Sequence, residues 1–153
     1  MSYDSPGAGA RGPVPDSWEP LPLGASIVRR DGNDLTMVSL GVGVHRAFEA
    51  AEKLASEGGA EATVIDLRSV QPLDRQAVCD SVGRTGRLLV VDEDYREFGL
   101  SGELAATVCE TGLTPRFSRV CVEDTIPFDR RREDRALPNV DRILAAANQL
   151  LGS

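Results

Sequence analysis

The sequence predicts an α/β protein: a three-layer α/β/α sandwich around a largely parallel, mixed sheet of about five strands. Three observations lead there. Short apolar runs rich in β-branched residues alternate with stretches of helical period, the pattern of strands joined through helices. One run, Leu88-Leu89-Val90-Val91, is continuously apolar, as suits a strand covered on both faces. Glycines and capping residues punctuate the runs where helices should start and stop.

Taken in order, residues 1–20 are rich in Gly, Pro, Ser and Asp, lack an apolar period, and read as a flexible tail and linker. The domain proper is expected over 21–153. Ser26–Arg30 and Leu35–Leu40 are apolar runs flanking Asp31-Gly32-Asn33-Asp34, a tight-turn sequence, and read as a strand pair. A helix follows from about Val44 to Glu57, with Val44, Ala47, Phe48, Ala51, Leu54 and Ala55 on one face and Gly58-Gly59 as its stop. Glu61–Leu67 is the next strand. Asp74 caps a helix running to about Val82, and Arg87–Asp92 is the strand covered on both faces. Ser101 is a candidate cap for a helix carrying Leu104, Ala105, Val108 and Cys109. Phe117–Val122 is the last strand, and Pro138-Asn139 opens a final helix with Val140, Ile143, Leu144, Ala147, Leu150 and Leu151 on its apolar face.

At 153 residues the chain suits one domain, and 41% hydrophobic residues are enough for a core. Only 5% are aromatic, so that core must be built from Val, Leu, Ile and Ala. A net charge of −7 argues against nucleic acid, whose phosphates require a basic face. No stretch approaches the ~18 apolar residues of a membrane span, and no basic-then-apolar leader opens the sequence. Cys79, Cys109 and Cys121 form no CxxC pair and lie in apolar segments, where cysteine behaves as a small hydrophobe. A reducing cytoplasm is the expected setting.

In a sheet of this kind, sites lie beyond the carboxyl ends of the strands. Gly41-x-Gly43 sits there, between a strand and a helix. A dinucleotide fingerprint would need a third glycine at position 46, which is Arg46. The turn fits close packing, and the helix start behind it, with Gly41, Gly43 and His45, also offers free N–H groups to an anion. His45 is the only histidine, has no Ser or Cys placed beside it, and reads as structural. No His/Cys/Asp cluster has metal spacing. The segment Asp92–Gly99 is either a solvated acidic loop or a functional edge. The run Asp129–Arg135 is either a solvated loop or a surface for an acidic partner. If both segments emerge at one end of the sheet, Tyr95, Phe98 and Phe128 supply apolar anchors. Arg96 and Arg130, with Glu93 and Asp94, supply charge pairing to a partner.

Several segments together resemble one family. Pro22-Leu23-Gly24-Ala25, Phe48-Glu49-Ala50-Ala51-Glu52, Val64 through Asp74 (VIDLRSVQPLD), Thr85 through Glu93 (TGRLLVVDE), Asp124-Thr125-Ile126-Pro127-Phe128 and Leu137-Pro138-Asn139-Val140 occur in order. They resemble the C-terminal domain of thiamine-diphosphate enzymes, the transketolase C-terminal-like fold, nearest the β subunit of 2-oxo acid dehydrogenases. The resemblance runs from about Val14 to Leu151, and Val14-Pro15-Asp16-Ser17-Trp18 is similar to the linker before that domain.

The resemblance implies a division of labour. In such enzymes another domain of the β subunit grips the aminopyrimidine and supplies a glutamate. The α subunit binds diphosphate and magnesium through a Gly-Asp-Gly motif. No Gly-Asp-Gly occurs here. Thiamine diphosphate and magnesium are therefore expected in partner subunits and not on this chain, which would not be active alone. The implied role is an accessory C-terminal-domain subunit of a split enzyme, or a piece cut at the domain boundary. It would provide subunit assembly and support of the active-site channel in a hetero-oligomer, with or without self-association. It would act beside separate chains carrying the diphosphate- and pyrimidine-binding domains, on a 2-oxo acid, in dehydrogenase-like or transketolase-like chemistry. The rival expectation is a non-catalytic regulatory module that binds a small anion or a partner protein.

Overall fold

The computed structural model of the protein describes residues 16–17 and 20–152; most of the expected tail and of the linker-like segment lies outside them. Five strands and five helices follow in the order β1 (Ile27–Arg30), β2 (Leu35–Ser39), α1 (Val42–Gly58), β3 (Ala62–Asp66), α2 (Arg75–Thr85), β4 (Arg87–Tyr95), α3 (Leu100–Glu110), β5 (Arg116–Val122), α4 (Arg130–Ala136) and α5 (Val140–Leu151). The strands form one sheet in the order β1-β3-β2-β4-β5. β2, β3, β4 and β5 pair in parallel, and β1 runs antiparallel to β3. This is the predicted mixed α/β sandwich.

Side-chain alternation along each strand splits the core in two. Leu35, Met37, Val64, Leu89, Val91 and Val120 pack against α1 and α5 through Val44, Ala47, Ala51, Leu54, Ile143, Ala147 and Leu150. Val38, Ile65, Leu88 and Val90 pack against α2 and α3 through Val78, Val82, Leu104 and Val108. The apolar run of β4 thus feeds both layers, as its composition implied. Alanine dominates the inner face of α1, which lets that helix lie close to the sheet in a core with few aromatics.

The strand pair expected on either side of Asp31–Asp34 does not form. β3 is inserted between β1 and β2, and the turn wraps around the start of β3. Gly32 donates its N–H to Thr63 Oγ1 at 3.0 Å, and Asp34 donates to the Glu61 carbonyl at 2.9 Å. Gly32 is needed because a Cβ there would lie 2.5 Å from the Glu61 backbone. The reason is burial: the apolar residues of β3 face both core layers, so β3 takes an interior position that a hairpin would deny it.

Two further expectations change. The charged run from Arg130 forms a short helix, α4, instead of a loop. Gly99, not Ser101, occupies the N-cap of α3, and Ser101 lies fully buried one position inside the helix. Asp74 and Asn139 do cap α2 and α5, accepting from Ala77 N and Arg142 N. No helix among the described residues is long and apolar enough to cross a membrane.

Candidate functional site

The carboxyl ends of β2, β3, β4 and β5 point the same way, so the segments after them share one end of the sheet. The chain winds outward in both directions from β2, which places the topological switch point between β2 and β4. Ligands of doubly wound sheets enter that crevice. Here it is filled. Ser39 Oγ donates to the Val91 carbonyl at 2.7 Å, and Gly43 packs so closely that a Cβ would collide with Ser39 Oγ. Arg46 bridges the gap, at 2.6 Å from Glu93 Oε1 and 2.7 Å from the Pro138 carbonyl. Packing accounts for Gly43, and a φ of +58° accounts for Gly41. His45 is half-buried in the first turn of α1.

The segment after β3, where the family resemblance is densest, works as a fastener. Asp66 Oδ1 accepts from Arg68 N at 3.1 Å, and the Arg68 guanidinium reaches back to the Ala25 carbonyl at 2.6 and 2.9 Å. Ser69 Oγ accepts from Gly24 N and donates to the Pro72 carbonyl. Asp74 Oδ2 takes both the N–H and the hydroxyl of Ser26, each at 2.8 Å, while Oδ1 caps α2. The bonds from Ser26 outweigh partial burial and hold the Asp74 carboxyl below its usual range. These residues tie the entry of the domain to the start of α2.

The exposed chemistry lies after β4 and β5. Tyr95 is 49% exposed, and Phe98 and Phe128 are fully exposed at 107% and 111%. Ile126 joins them, and Ile126, Pro127, Phe128, Asp129 and Glu133 line an open depression of about 410 Å³. Arg96 connects the two segments: its N–H donates to the Val122 carbonyl at 2.8 Å, and its guanidinium stands 3.7 Å from Glu123. Val42 and Val70, after β2 and β3, add exposed apolar surface at the same end of the sheet. Large apolar side chains thus gather at one end of the sheet.

The expected interface residues therefore sort by position. Tyr95, Arg96, Phe98 and Phe128 face outward. Glu93 is held by Arg46 on the α1 side, and Asp94 turns its Oδ1 to Tyr95 N. Arg130 begins α4, and its side chain is outside what the structure describes.

One residue within the acidic run departs from the expected solvated edge. Asp92 is only 5% exposed, and its Oδ2 has no hydrogen-bond partner. Alternation along β4 turns it toward α3, where Ser101 and Cys121 are also buried. Burial pushes the Asp92 carboxyl above its usual range, and burial likewise raises the Cys121 thiol. A buried carboxyl in a run that reads as a charged loop left no signal in composition.

A magnesium diphosphate requires converging hard oxygen ligands. Among the described residues no three His, Cys, Asp or Glu side chains are placed to hold a metal ion. The residues present do not fit that group, and none is assigned to it.

Comparison with known proteins agrees with the geometry. The transketolase C-terminal domain family matches residues 24–143. The β subunit of acetoin:2,6-dichlorophenolindophenol oxidoreductase from Bacillus subtilis is 38% identical over 146 residues, covering 93% of this chain and 42% of that protein. The β subunit of 2-oxoisovalerate dehydrogenase from the same organism is 35% identical over 145 residues, covering 92% and 44%. A solved split gene transketolase, described as an inactive beta4 tetramer, superposes with a TM-score of 0.79 at 27% identity, covering 91% of this chain and 47% of that one. The chain spans less than half the length of each of these relatives. With five strands in a mixed sheet and the match over residues 24–143, this chain belongs to the transketolase C-terminal domain family.

Proposed function

We propose that this chain serves as the C-terminal-domain component of a thiamine-diphosphate-dependent enzyme that decarboxylates a 2-oxo acid and passes on the acyl or aldehyde unit. It works by docking onto separate chains that carry the diphosphate- and pyrimidine-binding domains. The observation that carries this reading is the exposed group Tyr95, Phe98, Ile126 and Phe128 at the carboxyl ends of two adjacent parallel strands. Aromatic anchors flanked by Arg96 match the composition of interface hot spots. The turn Gly41–Val42–Gly43 with His45 lies at the same end and joins that surface in the proposal. The β-subunit relatives and the split gene transketolase support a role as one component of a larger assembly.

In this division of labour the cofactor on the partner chains supplies the decarboxylation chemistry. This chain closes one wall of the channel, excludes water from it and sets the geometry of assembly. Calorimetry provides a test. Titrating thiamine diphosphate and Mg²⁺ into the isolated chain should give no binding heat, and the same titration into the chain assembled with its partners should give a saturating one. Micromolar binding to the isolated chain would overturn the reading.

A further inference from the structure

The loop that presents Tyr95 and Phe98 is held over an unpaired buried carboxyl. Asp92 lies at its root, 95% buried by its 5% exposure, with Oδ2 unpartnered and Oδ1 accepting from Asp94 N at 3.1 Å. The loop above it is tightly folded. Phe98 sits at φ +62°, a region a bulky side chain rarely adopts, and Gly99 approaches the Tyr95 carbonyl so closely that a Cβ would collide with it. The groups facing Asp92 come from three elements: Glu93 and Asp94 on its own strand, the Cys121 thiol on β5 and the Ser101 N–H on α3. The nearby cations are engaged elsewhere. Arg119 donates to Ser101 Oγ at 3.3 Å, and Arg96 stands by Glu123. Among the described residues no cation forms an ion pair with the carboxyl, and Glu93 and Asp94 beside it are acidic.

We propose that Asp92 is a proton-operated latch: neutral, it stays buried and holds the end of β4 and the turn after it, residues 93–99, as seen; ionised, it moves toward water and releases Tyr95 and Phe98 from their places. A buried carboxylate with a backbone N–H bond and no cation bears the cost of desolvating a full charge, whereas the neutral acid does not. The latch is therefore closed at acidic pH and loosens as pH rises. If the open loop gives Asp92 an ordinary carboxyl, the opening constant rises about tenfold per pH unit from ~3.9 up to the buried group's own midpoint, then levels off. The consequence for assembly rests on the docking reading, with partner affinity falling as the latch opens.

The latch itself is read on the isolated full chain. Carbon NMR of the Asp92 carboxyl gives its midpoint, and amide exchange across residues 94–99, corrected for intrinsic rates, gives the opening constant from pH 4 to pH 8. The expected result is a midpoint above the ordinary Asp range and an opening that climbs with pH to that midpoint. Asp92→Asn, which keeps the neutral shape, should remain protected at every pH. An ordinary midpoint, a flat opening curve in the wild type, or the same climb in Asp92→Asn would each overturn the latch. If this holds while loss of Phe98 and Phe128 leaves assembly intact, the docking surface fails and the latch stands.

Discussion

Replacing Phe98 and Phe128 together with aspartate should abolish assembly with the partner chains while leaving this domain folded. Both rings are fully exposed, so neither contributes to the core, and the substitutions cost the isolated fold little. Phe98 adopts a positive φ that aspartate tolerates better than a bulky ring, so its replacement relieves local strain. In a docked complex the same residues would stand at the ends of β4 and β5, flanked by Tyr95, Ile126 and Arg96. Central aromatic anchors contribute ~2 kcal/mol or more each, so removing two and burying two charges should weaken binding more than about 1000-fold. Co-purification and analytical ultracentrifugation read the loss, and an unchanged circular dichroism spectrum excludes unfolding. Assembly at wild-type strength would move the interface elsewhere.

The second large effect concerns stability. Asp74→Ala removes the cap of α2 and strands the Ser26 N–H and hydroxyl at the domain entry. A lost cap costs ~1 kcal/mol, and charge-assisted bonds add ~1–3 kcal/mol. The expected sum is ~3 kcal/mol, or ~10 °C in Tm for a domain of this size. The sign with pH follows from the lowered folded value. The contribution is fully present above the ordinary Asp value of ~3.9 and is lost as pH falls through the folded one. Melting curves of wild type and variant should therefore lie farthest apart near neutral pH and draw together as pH falls below the ordinary Asp range. A constant gap across that range would mean the carboxylate's charge plays no part.

How far the sequence could be read depended on whether the signal was local. The helices from Val42, Arg75 and Val140 declare themselves because period, cap and stop lie within one segment. The sheet order does not, because Asp31–Asp34 has the sequence of a hairpin turn and its true role depends on β3, thirty residues further on. The apolar group after β4 and β5 was legible because both strands were recognisable and parallel strands deliver their following loops to one end. The Arg46–Glu93 bridge across the switch point and the burial of Asp92 were not. Each is set by which face of β4 a residue meets, α1 for Glu93 and α3 for Asp92, and neighbouring acidic letters carry no mark of that alternation. The short helix α4 leaves no mark in the sequence because six charged residues and one alanine form no apolar face.

The most direct test of the central claim is reconstitution. Chains carrying the diphosphate- and pyrimidine-binding domains are purified without this one, supplied with thiamine diphosphate and Mg²⁺, and assayed for CO₂ release from 2-oxo acids with and without it. If this chain completes the enzyme by docking, the incomplete mixture should be inactive. Adding the wild-type chain should then restore turnover in a saturable way, at the stoichiometry of the complex, and the Phe98→Asp/Phe128→Asp chain should not. Full turnover before this chain is added would contradict the account.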